Sequence, residues 1–229
     1  MKISIYGLEI QPGKYKYSSD HFAKLVKKFE PKKVTPFTVE FVMEDFDKTD
    51  AVVFPADKKF DFIFIDLEKV EKRLNKAVEE KEVELLKKVQ ALLEKEQLLC
   101  DQEFTPEEKE ILREQAFVTY KPSLAVSGTE DMDSLIKAVC DKAGVLLFYT
   151  AGKKEVHAWD IKKGDSAVVA AGRIHSDLAR GFIKADIVNC SRLDDFFNMA
   201  EAKARGFVKS VGKKHLMEEG DILEVKFSV

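Results

Sequence analysis

The chain has 229 residues, 45% of them hydrophobic and 34% charged, with a formal net charge of −3. This balance is typical of a folded globular protein with room for one large or two small domains, and it excludes an intrinsically disordered chain. No run approaches the roughly 18 apolar residues of a membrane span, the first residues turn polar too early for a secretory signal, and the three cysteines lack metal-ligand spacing. We therefore expect a cytoplasmic protein with free thiols and no membrane contact.

The N-terminal part is predicted to alternate strands with a helix. Residues 2–7 have the pattern of a short strand that ends in a glycine turn. From Asp20 to Phe29 apolar residues recur at helical spacing, with Asp20 as the expected N-cap. Residues 37–42 are predicted as a further strand.

Residues 66–99 carry the strongest helical pattern of the chain. Two apolar stripes are separated by a charged stretch, which predicts a coiled-coil-like helical hairpin or one bent helix, with Asp66 as its N-cap. Thr105 and Glu108 form a capping box that should open another helix, ending near Gln115. The segments expected next are a strand over 116–120, a strand over 123–126 and a helix over 133–142.

The C-terminal part is predicted to begin with two strands joined by a tight turn. Its expected elements are strands over 145–150 and 155–161, a helix over 166–174, a strand over 182–188, a helix over 193–204 and a strand through 223–229. A ββαβ start with a late closing strand is the pattern of a β-grasp domain.

Residues 144–159, 170–183 and 219–229 closely resemble the C-terminal TGS domain of the Obg-like YchF family of P-loop ATPases and GTPases. Shorter fragments before residue 144 resemble that family in the same order. The resemblance implies an α/β protein with a P-loop-type domain and a C-terminal, ubiquitin-like TGS domain. The boundaries it implies are 1–65 with 116–143 for a degenerate G-domain-like part, 66–115 for the helical insertion and 144–229 for the TGS domain.

The resemblance aligns the family's phosphate loop with residues 7–15. A working loop has a glycine, four residues, and then Gly-Lys-Ser/Thr, so that main-chain N–H groups surround the phosphates. Here five residues separate Gly7 from Gly13, and Pro12 removes one main-chain donor. Lys14 is followed by Tyr15, which lacks the small hydroxyl that holds Mg²⁺. These changes predict a loop that does not bind a nucleoside triphosphate productively.

Two further motifs of the family are also incomplete. The metal-binding motif aligns with residues 43–46, without its Asp or Gly; Asp45 and Asp47 nearby form either a metal pair or a solvated acidic loop. The base-recognition motif aligns with residues 127–130 and keeps only Glu130. We predict no catalytic residue, metal or cofactor. The alternative is weak ATP or GTP binding through the remnants Gly7, Gly13, Lys14 and Glu130.

The C-terminal domain is the expected binding module. Residues 144–229 carry 14 Lys or Arg against 12 Asp or Glu, a weakly basic balance that permits RNA contact without requiring it. TGS domains accompany ribosome-associated GTPases, threonyl-tRNA synthetases and (p)ppGpp enzymes, so the resemblance implies the ribosome, rRNA or a translation-related protein as the partner, and no DNA. The residues expected at that contact, with a solvated rim as the alternative, are Lys153, Lys154, Lys162, Lys163, Arg173, Arg180 and Lys184.

Three functions therefore remain open. The first is a non-catalytic binding or regulatory protein of translation or nucleotide signalling, the second is a weak nucleotide-binding enzyme, and the third is an assembly partner that uses the hairpin. The sequence assigns no oligomeric state.

Overall fold

The structure, a computed structural model, describes residues 1–228. It divides into two compact units, the first formed by residues 1–15 and 39–143 and the second by residues 16–38 together with the chain from Gly144 onward. Both units contain a β-sheet and helices, which confirms the expected α/β class. None of the described helices combines the length and the apolar content that a membrane crossing requires.

The elements are numbered in chain order. The strands are β1 (Lys2–Ile5), β2 (Gly13–Tyr17), β3 (Lys33–Thr35), β4 (Phe37–Met43), β5 (Ala51–Pro55), β6 (Ser123–Val126), β7 (Val145–Ala151), β8 (Glu155–Lys162), β9 (Phe182–Asn189), β10 (Lys209–Val211) and β11 (Asp221–Phe227). The helices are α1 (Asp20–Phe29), α2 (Lys59–Leu74), α3 (Glu80–Glu94), α4 (Pro106–Glu114), α5 (Met132–Lys142), α6 (Ala167–Ile174), α7 (Ser176–Arg180) and α8 (Met199–Ala204).

The first unit is built on a five-stranded sheet in the order β2-β4-β1-β5-β6. Strand β1 lies parallel to both β4 and β5, and β5 lies parallel to β6. The first four residues of β5, Ala51–Phe54, are fully buried, as expected for a parallel strand that is covered on both faces. Because these four strands are parallel, the loops after them emerge at one edge of the sheet.

A helical hairpin of α2 and α3 packs in the first unit, and the break between the helices falls at residues 75–79. Helix α2 begins at Lys59, so the prediction that Asp66 caps it is wrong. Asp66 lies in the middle of the helix, where its buried carboxylate accepts hydrogen bonds from Val118 and Thr119. These bonds hold residues 116–120 in turns, and the strand expected there does not form.

The second unit is built on a six-stranded sheet in the order β10-β9-β11-β7-β8-β3. Strands β7 and β8 form an antiparallel hairpin, and β11 returns parallel to β7 with Ile222 opposite Tyr149. Strand β9 pairs antiparallel with both β11 and β10. Helix α6 packs its buried alanines against the sheet around Phe148 and Leu223.

Residues 16–38, which the sequence analysis assigned to the N-terminal part, pack in the second unit. Helix α1 buries Phe22 and Leu25, and the hydroxyl groups of Ser19 and Tyr149 are 2.8 Å apart. Ser19, rather than Asp20, is the N-cap, because its side chain accepts the Phe22 N–H. Strand β3 adds to the sheet by parallel pairing with β8.

The structure corrects one further helix. The expected helix over 193–204 is divided into a 3₁₀ segment at Cys190–Asp195 and the short helix α8, which begins after Asn198 caps it. The closing strand ends at Phe227, and Val229, predicted to lie on it, is outside the described residues.

Candidate functional site

The loops after β1, β5 and β6 lie together at the carboxyl edge of the first sheet. An added Cβ on Gly7 would be 3.4 Å from Cδ of Pro55, and one on Gly128 would be 3.6 Å from Cδ2 of Leu8. Gly7 has φ +65°, a left-handed conformation that suits glycine at this turn. In open α/β sheets ligands bind at this edge, so it is the first candidate site.

The segment that aligns with the phosphate loop does not run from a strand into a helix. Gly13 and Lys14 begin strand β2, and the next helix starts only at Asp20. The ring of Tyr15 packs edge-on against Phe41 with centroids 5.3 Å apart, and its hydroxyl donates to the carbonyl of Gln11 at 2.7 Å. A phosphate site of this kind uses the N-terminus of the helix that follows the loop, whereas here a strand occupies that place.

The loop that aligns with the metal-binding motif is held by a lysine. The ammonium of Lys121 donates to the carbonyls of Phe46, Asp47 and Thr49, the last two at 3.0 and 2.9 Å. Burial lowers the pKa of Lys121, while the carboxylates of Asp47, Asp50 and Asp45 act in the opposite direction. A cation supplied by the chain therefore lies among the carbonyls of this loop, a contact that the sequence analysis missed because Lys121 is far away in sequence.

Glu130 is engaged by its own loop. Its carboxylate accepts hydrogen bonds from the N–H and hydroxyl of Ser127, at 2.9 and 2.8 Å, and from the N–H of Gly128 at 2.9 Å. These bonds, with that from the Ser127 N–H the largest cause, lower the pKa of Glu130 to about 2. The carboxylate closes the turn from 127 to 130 and is charged at neutral pH.

The basic residues predicted for the second unit do not form one cluster. Lys153 and Lys154 lie in the turn between β7 and β8, whereas Lys162 and Lys163 lie at the opposite end of β8, roughly 25 Å away at the rise of an antiparallel strand. Lys184 is exposed on β9.

The two arginines of this set are engaged by carboxylates. Arg173 pairs with Asp160 at 2.6 Å and Arg180 pairs with Asp177 at 2.8 Å. Such pairs reduce the positive charge that an arginine presents to a partner, so Lys153 and Lys154 are the better contact candidates.

The described part of the second unit contains a groove of about 550 Å³ next to the β7–β8 turn. The turn from Thr150 to Glu155 forms one wall and β11 forms the other. Ile174, Leu178 and Met199 complete the lining. No local pattern in the sequence indicates this groove, because it depends on how far β11 extends past β7.

Comparison with known proteins agrees with this architecture. Residues 145–228 match the family model named YchF-GTPase_C, described as a protein of unknown function. The Bacillus subtilis ribosome-binding ATPase YchF is 29% identical over 74% of this chain and 64% of its own length. The Mycoplasma genitalium ribosome-binding ATPase YchF is 37% identical over 46% of this chain and 29% of its own length. The Obg-like ATPase 1 of Caenorhabditis elegans is 34% identical over 44% of this chain and 25% of its own. The chain thus spans less than two thirds of the length of these relatives.

A solved structure shows the same fold. The structure of the Schizosaccharomyces pombe YchF GTPase superposes with a TM-score of 0.81 at 17% identity, over 99% of this chain and 97% of that chain. The two sheets and their helices therefore define an α/β protein with the YchF GTPase fold. The sequence matches to the family model and to these relatives support membership of the YchF/Obg-like family.

Proposed function

We propose that this protein is a non-catalytic member of its family, a binding or regulatory protein of the translation machinery in the cytoplasm. In this proposal the first unit derives from a G domain with residues 66–115 as its helical insertion, and the second contains a TGS domain of the β-grasp type. The sheet orders support it. A G domain places its phosphate-loop strand between the strands of its metal and base motifs, as β1 lies between β4 and the β5–β6 pair. The β8-β7-β11-β9-β10 order, with β7 parallel to β11, is that of a ubiquitin-like sheet.

The observation that carries the proposal is the conformation of residues 13–17. They form a strand where a nucleotide-binding chain needs a compact loop and a helix N-terminus. Phosphoryl transfer depends almost wholly on positioning and charge stabilisation. A chain with Tyr15 packed on Phe41 and Lys121 within its metal-motif loop lacks those parts.

Calorimetric titration of the full chain with Mg·ATP and Mg·GTP tests this first. We expect no saturable heat and no phosphate release above the buffer rate. Saturable binding with a low micromolar dissociation constant would contradict the proposal.

The partner is proposed from the relatives, several of which are named ribosome-binding ATPases. We propose that this chain also associates with the ribosome, through rRNA or a ribosome-bound protein, by the lysine-bearing surface of its second unit. Co-sedimentation with ribosomes tests it, with K153E/K154E as the variant and K213E/K214E, an exposed lysine pair of the same unit, as the matched control. We expect the first pair to weaken sedimentation and the second to leave it nearly unchanged.

A second candidate, weak ATP or GTP binding, is favoured by one observation. The turn after β1 and the loop after β6 remain neighbours, because a Cβ added to Gly128 would be 3.6 Å from Cδ2 of Leu8, and the relatives are named ATPases. The same titration decides between the candidates, since a remodelled site at Gly7, Gly13, Lys14 and Glu130 would give binding that a Lys14→Ala variant abolishes.

A further inference from the structure

Strand β11 extends past its neighbour β7. The pairing of Ile222 with Tyr149 places Glu224 level with Ala151, the last residue of β7. Residues 225–227 continue for roughly 10 Å beyond that point, paired with β9 on one side only. Within residues 1–228, no strand pairs with them on the other side. A strand edge of this kind presents main-chain donors and acceptors to any extended chain that lies alongside.

The groove of about 550 Å³ runs along this free edge. Large apolar side chains in its lining come from the helices and from β11: Ile174 of α6, Leu178 of α7, Met199 of α8, and Val225 and Phe227 of β11. Phe227 is 47% exposed, so an aromatic surface remains accessible at the groove. A strand that adds to a sheet edge sends alternate side chains to opposite faces, and apolar side chains fit this lining.

Positive charge is concentrated at the end of the groove that the β7–β8 turn closes. The two acidic residues of the lining are engaged elsewhere. Glu155 bonds to Lys33 at 2.8 Å and to Thr35 at 2.7 Å, and Glu224 pairs with Lys226. Lys153 and Lys154 are exposed, and no carboxylate within residues 1–228 lies in salt-bridge distance of either. The unbalanced charge at this end therefore comes from two adjacent ammonium groups.

We propose that the groove binds an extended segment of a partner protein, which pairs its main chain with residues 225–227 of β11. The segment has apolar residues at alternate positions and ends, next to Lys153 and Lys154, in a carboxylate from Asp, Glu or a C-terminus. That this partner is a ribosome-bound protein rests on the proposed function. Binding of the segment in the groove does not depend on that function. Nucleic acid fits less well, since phosphate contacts dominate its binding and this lining is chiefly aliphatic and aromatic.

Peptide selection with the full chain as bait tests the proposal, using a library of random octapeptides. We expect enrichment of alternating Val, Ile, Leu or aromatic residues next to Asp, Glu or a free carboxyl end. Selection on K153E/K154E should exchange the acidic residues for Lys or Arg, which a merely structural role of the lysines would not do. No enrichment above a blank surface, or the same acidic peptides from K153E/K154E, would overturn the proposal.

An aromatic truncation tests the groove wall separately. A synthetic peptide of the selected sequence should bind Phe227→Ala about tenfold more weakly or worse, as expected for loss of an aromatic anchor. Leu216→Ala, an exposed apolar residue of the same unit that does not line the groove, should bind normally. Equal binding by both variants, with unchanged thermal unfolding, would place the peptide elsewhere.

Ribosome sedimentation distinguishes this proposal from the proposed function. Peptide binding without sedimentation would leave the groove assigned and remove the ribosome as partner. Ribosome sedimentation by a chain that selects no peptide would overturn the peptide proposal while the proposed function stands.

Discussion

The carboxylate of Asp66 accepts both the N–H and the hydroxyl of Thr119, each at 2.7 Å, although the two residues are 53 positions apart. A second carboxylate oxygen accepts the N–H of Val118 at 2.9 Å. Asp66 is fully buried, and the Nζ of Lys69 is 3.7 Å from its Oδ1. One side chain in the middle of α2 therefore anchors the turn that leads into β6.

Replacing Asp66 by Ala should destabilise the first unit strongly. The change leaves three buried donors without an acceptor, and each such loss costs about 1–3 kcal/mol. Thr119→Val removes only the hydroxyl bond and should cost less. Urea unfolding of both variants measures the difference; an Asp66→Ala chain as stable as the unmodified one would show that the turn does not depend on this carboxylate.

Asp66 also predicts a pH dependence. Burial raises its pKa, against the opposing effect of the hydrogen bonds from Thr119 and Val118. A raised pKa in the folded state means that the folded chain favours the protonated form of Asp66. The stability that this protonation contributes is complete below the pKa of the unfolded chain and is lost as pH rises through the pKa of the folded chain. Relative to Asp66→Asn, which does not titrate, the unmodified chain should therefore lose stability as pH is raised from 4. A constant difference between the two chains over that range would contradict the shift.

Glu130 should titrate at about 2, because three donors from Ser127 and Gly128 favour its charged form. The charged carboxylate of Glu130 stabilises the closed turn at pH values above the usual glutamate pKa. This stabilisation is lost as pH falls through the lowered pKa of the folded chain. A side-chain carboxyl titration by NMR measures the pKa. Ser127→Ala removes the hydroxyl donor and should raise the pKa; an unchanged value would mean that the main-chain donors alone hold it.

Sequence alone predicted the elements whose signals are local. The capping box of Thr105 and Glu108 is present in both directions, since it involves neighbours only. The strand expected over 116–120 failed because Asp66, distant in sequence, fixes that segment as turns. Helix α1 was found from its spacing, but nothing in residues 20–29 shows that Phe22 and Leu25 pack in the second unit.

The local features of the candidate site could be predicted from the sequence, whereas its contacts between distant residues could not. The altered glycine spacing and Pro12 can be read directly from the chain, and residues 13–17 indeed form a strand. The Lys121 contacts with residues 46–49 depend on the fold of the whole first unit. Likewise, the groove follows from the relative lengths of β7 and β11.

The packing of α1 predicts that residues 144–229 are incomplete as an isolated fragment. The fragment lacks β3, which pairs with β8, and lacks Phe22 and Leu25, which are 3% and 0% exposed in the whole chain. Removing one buried side chain of this size costs about 2–5 kcal/mol. The fragment should therefore melt at a lower temperature than a fragment in which residues 16–38 are joined to it by a flexible linker. Equal melting temperatures would show that α1 adds nothing to the stability of this unit.

Gly181 should be intolerant of any side chain, because the chain near the end of β11 passes directly over it. An added Cβ would be 2.2 Å from the main-chain oxygen of Ser228, a contact that requires the backbone to move. The N–H of Ser228 donates to the carbonyl of Gly181 at 3.0 Å, so the movement would break this bond as well. Gly181→Ala should therefore accelerate hydrogen exchange at Phe227 and Ser228 and weaken peptide binding in the groove that Phe227 lines.

Gly212→Ala is the matched control, since its added Cβ meets nothing within 4 Å and its φ is not in the left-handed region. Identical exchange in the two variants would show that the end of β11 adjusts without loss of pairing.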